Sequence, residues 1–204
     1  MSFRTLVVGT ANKDKCREIK KLLSGLKVNI VSIDELGPVP KVVENGKNFV
    51  ENACKKAEAY SKLSDWLTLG DDSGLCVDVL NGRPGIMSAR FAGPDCTYHD
   101  NSRKLLRLMF RKPEEDRKAH FNCTIALYRN GKKIKIIEGI CDGMIAEEAL
   151  GDRGFGFDPI FIPEGEHVTF GQMSSVKKNA ISHRGEALEQ VREFLEEYYE
   201  KNKE

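Results

Sequence analysis

The sequence has almost no excess of charge of either sign. Its 32 lysines and arginines face 31 aspartates and glutamates, a formal net charge of +1, so no global field draws it toward nucleic acid or an anionic membrane. Any anion it binds has to be held by local groups. The six cysteines (Cys16, Cys54, Cys76, Cys96, Cys123 and Cys141) are scattered singly, without the C-x-x-C or C-x-x-H spacing that suits zinc. They read as reduced core thiols of a cytosolic protein. The G-x-x-x-x-G-K-[ST] spacing of a P-loop is absent, as are a Ser-His-Asp order and a reactive-cysteine setting. No apolar run approaches the length of a membrane span, and Met1-Ser2-Phe3-Arg4 leads into a short strand pattern without a signal-peptide apolar region. The expectation is a cytoplasmic protein with neither a membrane nor a nucleic-acid partner. Its 204 residues are enough to bury a real core, as one large domain or two small lobes.

What is present is organised around Gly70 to Gly93. The apolar run Trp66-Leu67-Thr68-Leu69 reads as a buried strand, and Asp71-Asp72-Ser73-Gly74 follows it as a turn opening on two carboxylates. Buried carboxylates are costly unless positive groups sit beside them. Three readings compete: Asx turns that bind local backbone N–H groups, a metal site, and a general base.

Upstream, Thr5-Leu6-Val7-Val8 reads as a strand, and Gly9-Thr10-Ala11-Asn12-Lys13-Asp14-Lys15 turns it into a helix with Cys16, Ile19, Leu22 and Leu23 at helical spacing. Such a strand–loop–helix aims backbone N–H groups beyond the sheet edge, an anion site in embryo. The plainer alternative is an Asn-capped helix with a solvated lysine. A second strand is expected over 28–33, and Glu44 sits between the apolar pair Val42-Val43 and a turn. A helix is expected over 48–63, with Phe49, Ala53, Ala57 and Tyr60 on the buried face and Glu51, Lys55 and Lys56 on the wet one. Asn52, beside the apolar stripe, is either a satisfied core amide or a group reaching into a site.

Downstream, a helix is expected over 101–110, and the charged, proline-containing 112–116 is the best boundary between lobes. Residues 120–128 and 133–140 are β-rich runs joined through Arg129-Asn130-Gly131-Lys132, a hairpin signal. The sheet is therefore expected to be mixed. In Gly151-Asp152-Arg153-Gly154-Phe155-Gly156-Phe157-Asp158-Pro159, two phenylalanines flank a glycine. That spacing allows one ring inward and one unburied, a platform for a planar base; the alternative packs both in the core. Lys178, His183 and Arg184 form a cation group. Ser182 is a candidate N-cap of a helix running through Tyr199, and 200–204 is a charged tail. Carboxylates with lysines and arginines are the parts that hold a polyphosphate with Mg²⁺ and direct water at it.

Six separated motifs carry a resemblance over nearly the whole chain: Thr10 to Lys15 with Glu18; Glu44 with Phe49-Val50-Glu51-Asn52-Ala53; Asp71-Asp72-Ser73-Gly74-Leu75; Pro84-Gly85 with Ser88-Ala89-Arg90; Phe155 to Pro159; and Ser182-His183-Arg184. In this order they resemble the inosine triphosphate pyrophosphatase family, which hydrolyses nonstandard purine nucleoside triphosphates (ITP, dITP, XTP) to the monophosphate and pyrophosphate. The resemblance implies an α/β fold, an elongated mixed β-sheet with two α/β lobes and an active-site cleft between them, as one domain over residues 1–204. It also implies a homodimer and dependence on Mg²⁺. Carried over, Asp72 is the base that activates water, and Glu44 and Asp72 are the metal ligands. Thr10, Ala11, Asn12, Lys13, Asp14 and Lys15, with Ser73, hold the triphosphate, and Arg90 assists. Phe155 and Phe157, with Gly156 between them, bracket the purine; Asp158 fixes the pocket, and Lys178, His183 and Arg184 read the base edge. How Asp71 and Asp72 divide ligand and base roles stays open. The family often has Trp or Tyr where this chain has Phe157, which removes a hydroxyl or indole hydrogen bond but keeps the ring. Two rivals remain: an aspartic-protease-like hydrolase built on Asp72-Ser73-Gly74, and a non-catalytic nucleotide- or RNA-binding module using the phenylalanine pair.

Overall fold

A computed structural model of the chain describes residues 4–201; the opening Met1-Ser2-Phe3 and the last three residues of the charged tail lie outside the described residues. The fold is mixed α/β. A seven-stranded sheet has the order β2-β1-β3-β5-β6-β7, with β4 paired to β3. Strand β1 (Thr5–Gly9) is parallel to β2 (Asn29–Ser32) and to β3 (Leu67–Val77). Strands β5 (Lys118–Arg129) and β6 (Lys132–Ile145) are joined through Asn130 and Gly131, whose φ values of 51° and 72° make the left-handed pair that a two-residue hairpin needs. The short β4 (Arg83–Pro84) and β7 (Phe161–Pro163) pair antiparallel with β3 and β6. The helices are α1 (Lys13–Leu22), α2 (Phe49–Tyr60), α3 (Tyr98–Leu108), α4 (Ser175–Ile181) and α5 (His183–Lys201). Among the described residues no helix is long and apolar enough to cross a membrane.

The chain divides into two compact units. The first holds the residues up to Asp72, Cys123–Gly139 and the chain from Arg184; the second holds Ser73–Asn122 and Ile140–His183.

Strand alternation sorts the first unit's core onto two faces. Leu6, Val8, Leu67, Leu69, Cys123, Ile125 and Leu127 meet Ile19 and Leu23 of α1 and Leu188, Val191, Leu195 and Tyr199 of α5. The intervening residues point the other way: Val7 to Tyr60, and Ala126 and Tyr128 to Ala53 and Ala57 of α2. Burying each large apolar side chain stabilises by about 1.5–3 kcal/mol before ordering costs. The register Val8↔Leu69 and Gly9↔Gly70 sets the loop after β1 beside Asp71. The second unit has its own core, in which Leu75, Val77, Leu105, Met109, Phe121, Ile145, Phe157, Phe161 and Phe170 are all buried.

The structure departs from the sequence reading in several places. Strand β3 does not end at a turn before the two aspartates but runs through Val77, so both carboxylates are mid-strand. Lys56, expected on the wet face of α2, is 6% exposed. The 112–116 connector is no lobe boundary and lies inside the second unit. Arg117 ties its end down there, donating from Nε to the Ile145 carbonyl at 2.6 Å and from NH1 to that of Met109 at 3.0 Å. Helix α3 starts at Tyr98 because Thr97 and Asp100 form a capping box ahead of it, and Leu108 is exposed. Finally, α4, capped by Ser174, precedes the C-terminal helix.

Candidate active site

Two groups of chemically equipped side chains stand out, one in each unit. The first is built on β3. Its odd-numbered residues share the face covered by α1 and α5, and there Asp71, fully buried, meets Lys15 Nζ at 3.1 Å and Arg184 NH2 at 3.6 Å. Arg184 also donates from NH1 to Glu18 Oε2 at 2.7 Å, and the Cys123 thiol lies 3.6 Å from Asp71 Oδ2. Burial alone would push the Asp71 carboxyl up, but Lys15 and Arg184 outweigh it and hold the group well below the usual carboxylate range. Burial raises the Cys123 thiol, which keeps its proton as a donor.

The even-numbered face is covered by α2. Gly70 makes that approach possible, since a Cβ there would lie 2.5 Å from the Ala53 carbonyl oxygen and 2.7 Å from Ala57 N. Helix α2 thereby lays two donors, one turn apart, against Asp72: Asn52 Nδ2 donates to Oδ2 at 3.1 Å and Lys56 Nζ lies 3.4 Å from Oδ1. The same ammonium is 3.0 Å from Glu44 Oε2. Burial raises the Asp72 carboxyl above its ordinary value, and the Lys56 and Lys15 charges only partly offset this. Burial would lower the Lys56 ammonium, but Asp72 and Glu44 win and hold it protonated.

The loop entering α1 combines both sequence readings. Asn12 is the N-cap: its Oδ1 accepts from Asp14 N at 3.0 Å and Lys15 N at 3.1 Å, and Asn12 N donates to Thr10 Oγ1 at 3.2 Å. Lys15, however, is not solvated but paired with Asp71. Ala11 and Lys13 are exposed and Thr10 is buried. Ser73 is half-buried on β3, and Arg90 is exposed.

The second group lies around the glycine-rich bend. Asp158, 3% exposed, accepts from Phe155 N at 2.8 Å and from Lys178 Nζ at 2.6 Å through the same Oδ2. Gly154, at φ +73°, is required there, because a Cβ would fall 1.9 Å from that oxygen. Lys178 Nζ sits 5.0 Å from the Phe155 ring centroid, a cation–π distance, and Tyr98 lies 5.8 Å from the same ring. Ser102 Oγ donates to the Gly156 carbonyl at 3.3 Å.

The two phenylalanines part company. Phe155 is half-buried, whereas Phe157 is 4% exposed and belongs to the second unit's core. A ring packed on its neighbours offers no free face; the half-buried ring is Phe155, with Tyr98 beside it. Lys178, His183 and Arg184 each have their own partners. Lys178 is committed to Asp158, the His183 ring stacks on Phe121 at 4.6 Å and 8°, and Arg184 is committed to Asp71 and Glu18. Lys56 was expected on a wet face, and Tyr98 carried no expectation at all. A charge on a polar helix face and an aromatic at a helix start carry no mark of what packs on them.

The aspartic-protease alternative finds no support in the contacts of Asp72. It needs two carboxylates sharing a proton, and Asp72 has instead an amide on one oxygen and an ammonium on the other, with its neighbour on the opposite face.

The Ham1 family model matches residues 6–194. The dITP/XTP pyrophosphatase of Desulforamulus reducens is 44% identical over 194 residues, covering 95% of this chain and 96% of the relative. That of Caldanaerobacter subterraneus subsp. tengcongensis is 41% identical, covering 97% and 98%. Among solved structures, a HAM1 protein from Coxiella burnetii has a TM-score of 0.85 at 38% identity, covering 95% of this chain and 98% of that one. The Staphylococcus aureus Ham1 protein has 0.84 at 36%, covering 95% and 99%.

Proposed function

This chain belongs to the Ham1 family, and from that premise we propose that it hydrolyses nonstandard purine nucleoside triphosphates (ITP, dITP and XTP) to the monophosphate and pyrophosphate. The observation that carries the reading is the full-length identity of about 40% to dITP/XTP pyrophosphatases, in a chain whose Asp72 is set among Asn52, Lys56 and Glu44. The chemistry is water attack at the α-phosphorus.

The residues present fit Mg²⁺. Glu44 and Asp72 bring carboxylate oxygens to one ammonium, which is hard, oxygen-only donor chemistry. No group of three or more metal-ligating side chains occurs among the described residues, and Mg²⁺ is ordinarily held by one or two carboxylates plus substrate phosphates. Bound there, the ion would offset phosphate charge as it develops. Asp72 takes the proton of the attacking water, held in place by the Asn52 amide and the Lys56 ammonium. Asp71 takes no part in ligation or proton transfer, and the open division of roles falls to Asp72 with Glu44.

The loop of Thr10, Ala11, Asn12, Lys13, Asp14 and Lys15, with Ser73, holds the triphosphate. The purine stacks on Phe155, with Phe157 supporting the bend from beneath. Lys178 and His183 serve the base edge. A donor there matches the 6-keto acceptor of hypoxanthine or xanthine and leaves donor against donor with adenine, at about 1–3 kcal/mol per unmet group. Homodimer formation and a cytoplasmic site of action belong to the same family reading.

The deciding experiment is pyrophosphate release from ITP, XTP, dITP, GTP and ATP with and without Mg²⁺. Release confined to the nonstandard triphosphates and dependent on the ion is expected. Tight ITP binding without release would leave a nucleotide-binding module in its place.

A further inference from the structure

We infer that Asn52 is the positioning residue that holds Glu44 and Asp72 together for a divalent cation, an inference that rests on the functional reading above. Asn52 is 1% exposed, and both ends of its amide are spent on the segments that carry those carboxylates. Its Nδ2 donates to Asp72 Oδ2 at 3.1 Å, and its Oδ1 accepts from Gly46 N at 2.8 Å, two residues beyond Glu44. A backbone N–H only donates and a carboxylate only accepts, so one amide orientation alone satisfies both. The side chain is a rigid link between the loop bearing one carboxylate and the strand bearing the other.

Gly46 makes the link short, since a Cβ at that position would stand 2.6 Å from Asn52 Oδ1 and 2.8 Å from Glu51 Cβ. The loop is fastened again where Lys47 N donates to Glu51 Oε2 at 2.9 Å and Lys55 Nζ to Asn45 Oδ1 at 2.6 Å. With Oδ2 taken by the amide, Asp72 turns Oδ1 to the Lys56 ammonium that also meets Glu44 Oε2. A core amide serving only its own helix would have no reason to bridge these two segments. Removing a group that orients metal ligands typically costs 10- to 100-fold in metal affinity.

The test is Asn52→Leu in the full chain, which keeps the bulk and loses both hydrogen bonds. Mn²⁺ affinity is read by EPR titration in the presence of an ITP analogue with a methylene bridge between the α and β phosphorus atoms. A Kd weakened about 10- to 100-fold is expected, with faster hydrogen exchange at the Gly46 amide and nucleotide affinity without cation little changed. A folded variant whose Mn²⁺ affinity matches the wild type overturns the inference. Should the variant not fold, the wild type still decides it: the Asn52 side-chain amide resonances must shift on Mg²⁺ titration with the midpoint of cation binding, and unmoved resonances sink the idea. Failure of the wild type to release pyrophosphate from ITP would instead strike the functional reading. Normal release together with unchanged cation affinity in Asn52→Leu would strike only this inference.

Discussion

Asp71 and Asp72 are adjacent in β3 and face opposite sides of it, Asp71 toward Lys15 and Arg184, Asp72 toward Asn52 and Lys56. Because an extended chain alternates sides residue by residue, the pair cannot form a dyad, and each carboxylate has its own donors. One is driven far below its ordinary pKa and the other above it, and under the proposed function this separates an anchor from a proton acceptor.

Replacing the acceptor should abolish most of the chemistry while leaving its donors in place. Asp72→Asn is expected to lower kcat for ITP by at least about 100-fold, the usual minimum for loss of a general base. Pyrophosphate release at saturating substrate measures it, and near-normal turnover would remove Asp72 from the mechanism.

Replacing the anchor should cost stability first. Asp71→Asn leaves Lys15 without its buried counter-charge and Arg184 with Glu18 alone, and a broken buried ion pair typically costs about 3–5 kcal/mol. Denaturant unfolding gives the figure; a loss below about 1 kcal/mol would mean that the pairing is solvent-screened.

The pH dependence of that loss has a definite sign. The Asp71 carboxyl is lowered on folding, so its contribution is fully present above the unfolded value of about 3.9 and disappears only as pH falls through the lower folded value. In cation-free protein, the stability difference between wild type and Asp71→Asn should be flat from pH 7 down to about pH 5 and shrink only below about pH 4. Convergence of the two curves already at pH 6 would contradict the ion-pair geometry.

The phenylalanines should respond in opposite ways. Phe157→Ala empties a core position and is expected to cost about 3–5 kcal/mol of stability. Phe155→Ala is expected to weaken ITP binding by about 1–3 kcal/mol with little change in unfolding. Unaltered ITP affinity in the second variant would return Phe155 to a purely structural role.

Gly70→Ala tests the seating of α2. The added methyl group overlaps the Ala53 carbonyl oxygen, so the helix must lift from β3 and take Asn52 and Lys56 with it. A stability loss of about 1–3 kcal/mol is expected, as for other overpacked sites, with a fall in kcat/KM for ITP. Wild-type kinetics in this variant would show that Asp72 does not depend on α2.

Much of the fold was legible because its signals are local. The buried run before Gly70, the Asn130-Gly131 hairpin, the Asn12 cap and the spacing of Leu188, Val191 and Leu195 each depend on a few neighbouring residues. The misreadings share one cause. The Asp71-Asp72-Ser73-Gly74 turn and the wet-face Lys56 both rest on polarity, and polarity predicts exposure only where no opposite charge arrives from elsewhere. Lys56 is buried because Glu44 and Asp72 come to it. Phe157 is a core residue because Leu105 of α3, Met109 just after it and Phe121 of β5 belong to the same buried cluster.

By itself the sequence determined where strands, turns and caps fall and which residue types were available for phosphate and purine chemistry, since backbone preference and apolar periodicity act over a few residues. Only the tertiary structure decided which cation neutralises which carboxylate. Arg184 reaches Glu18 and Asp71 across most of the chain's length, and the cost of burying a charge is settled by whatever lies within a few ångströms in space, however far apart the residues are along the chain.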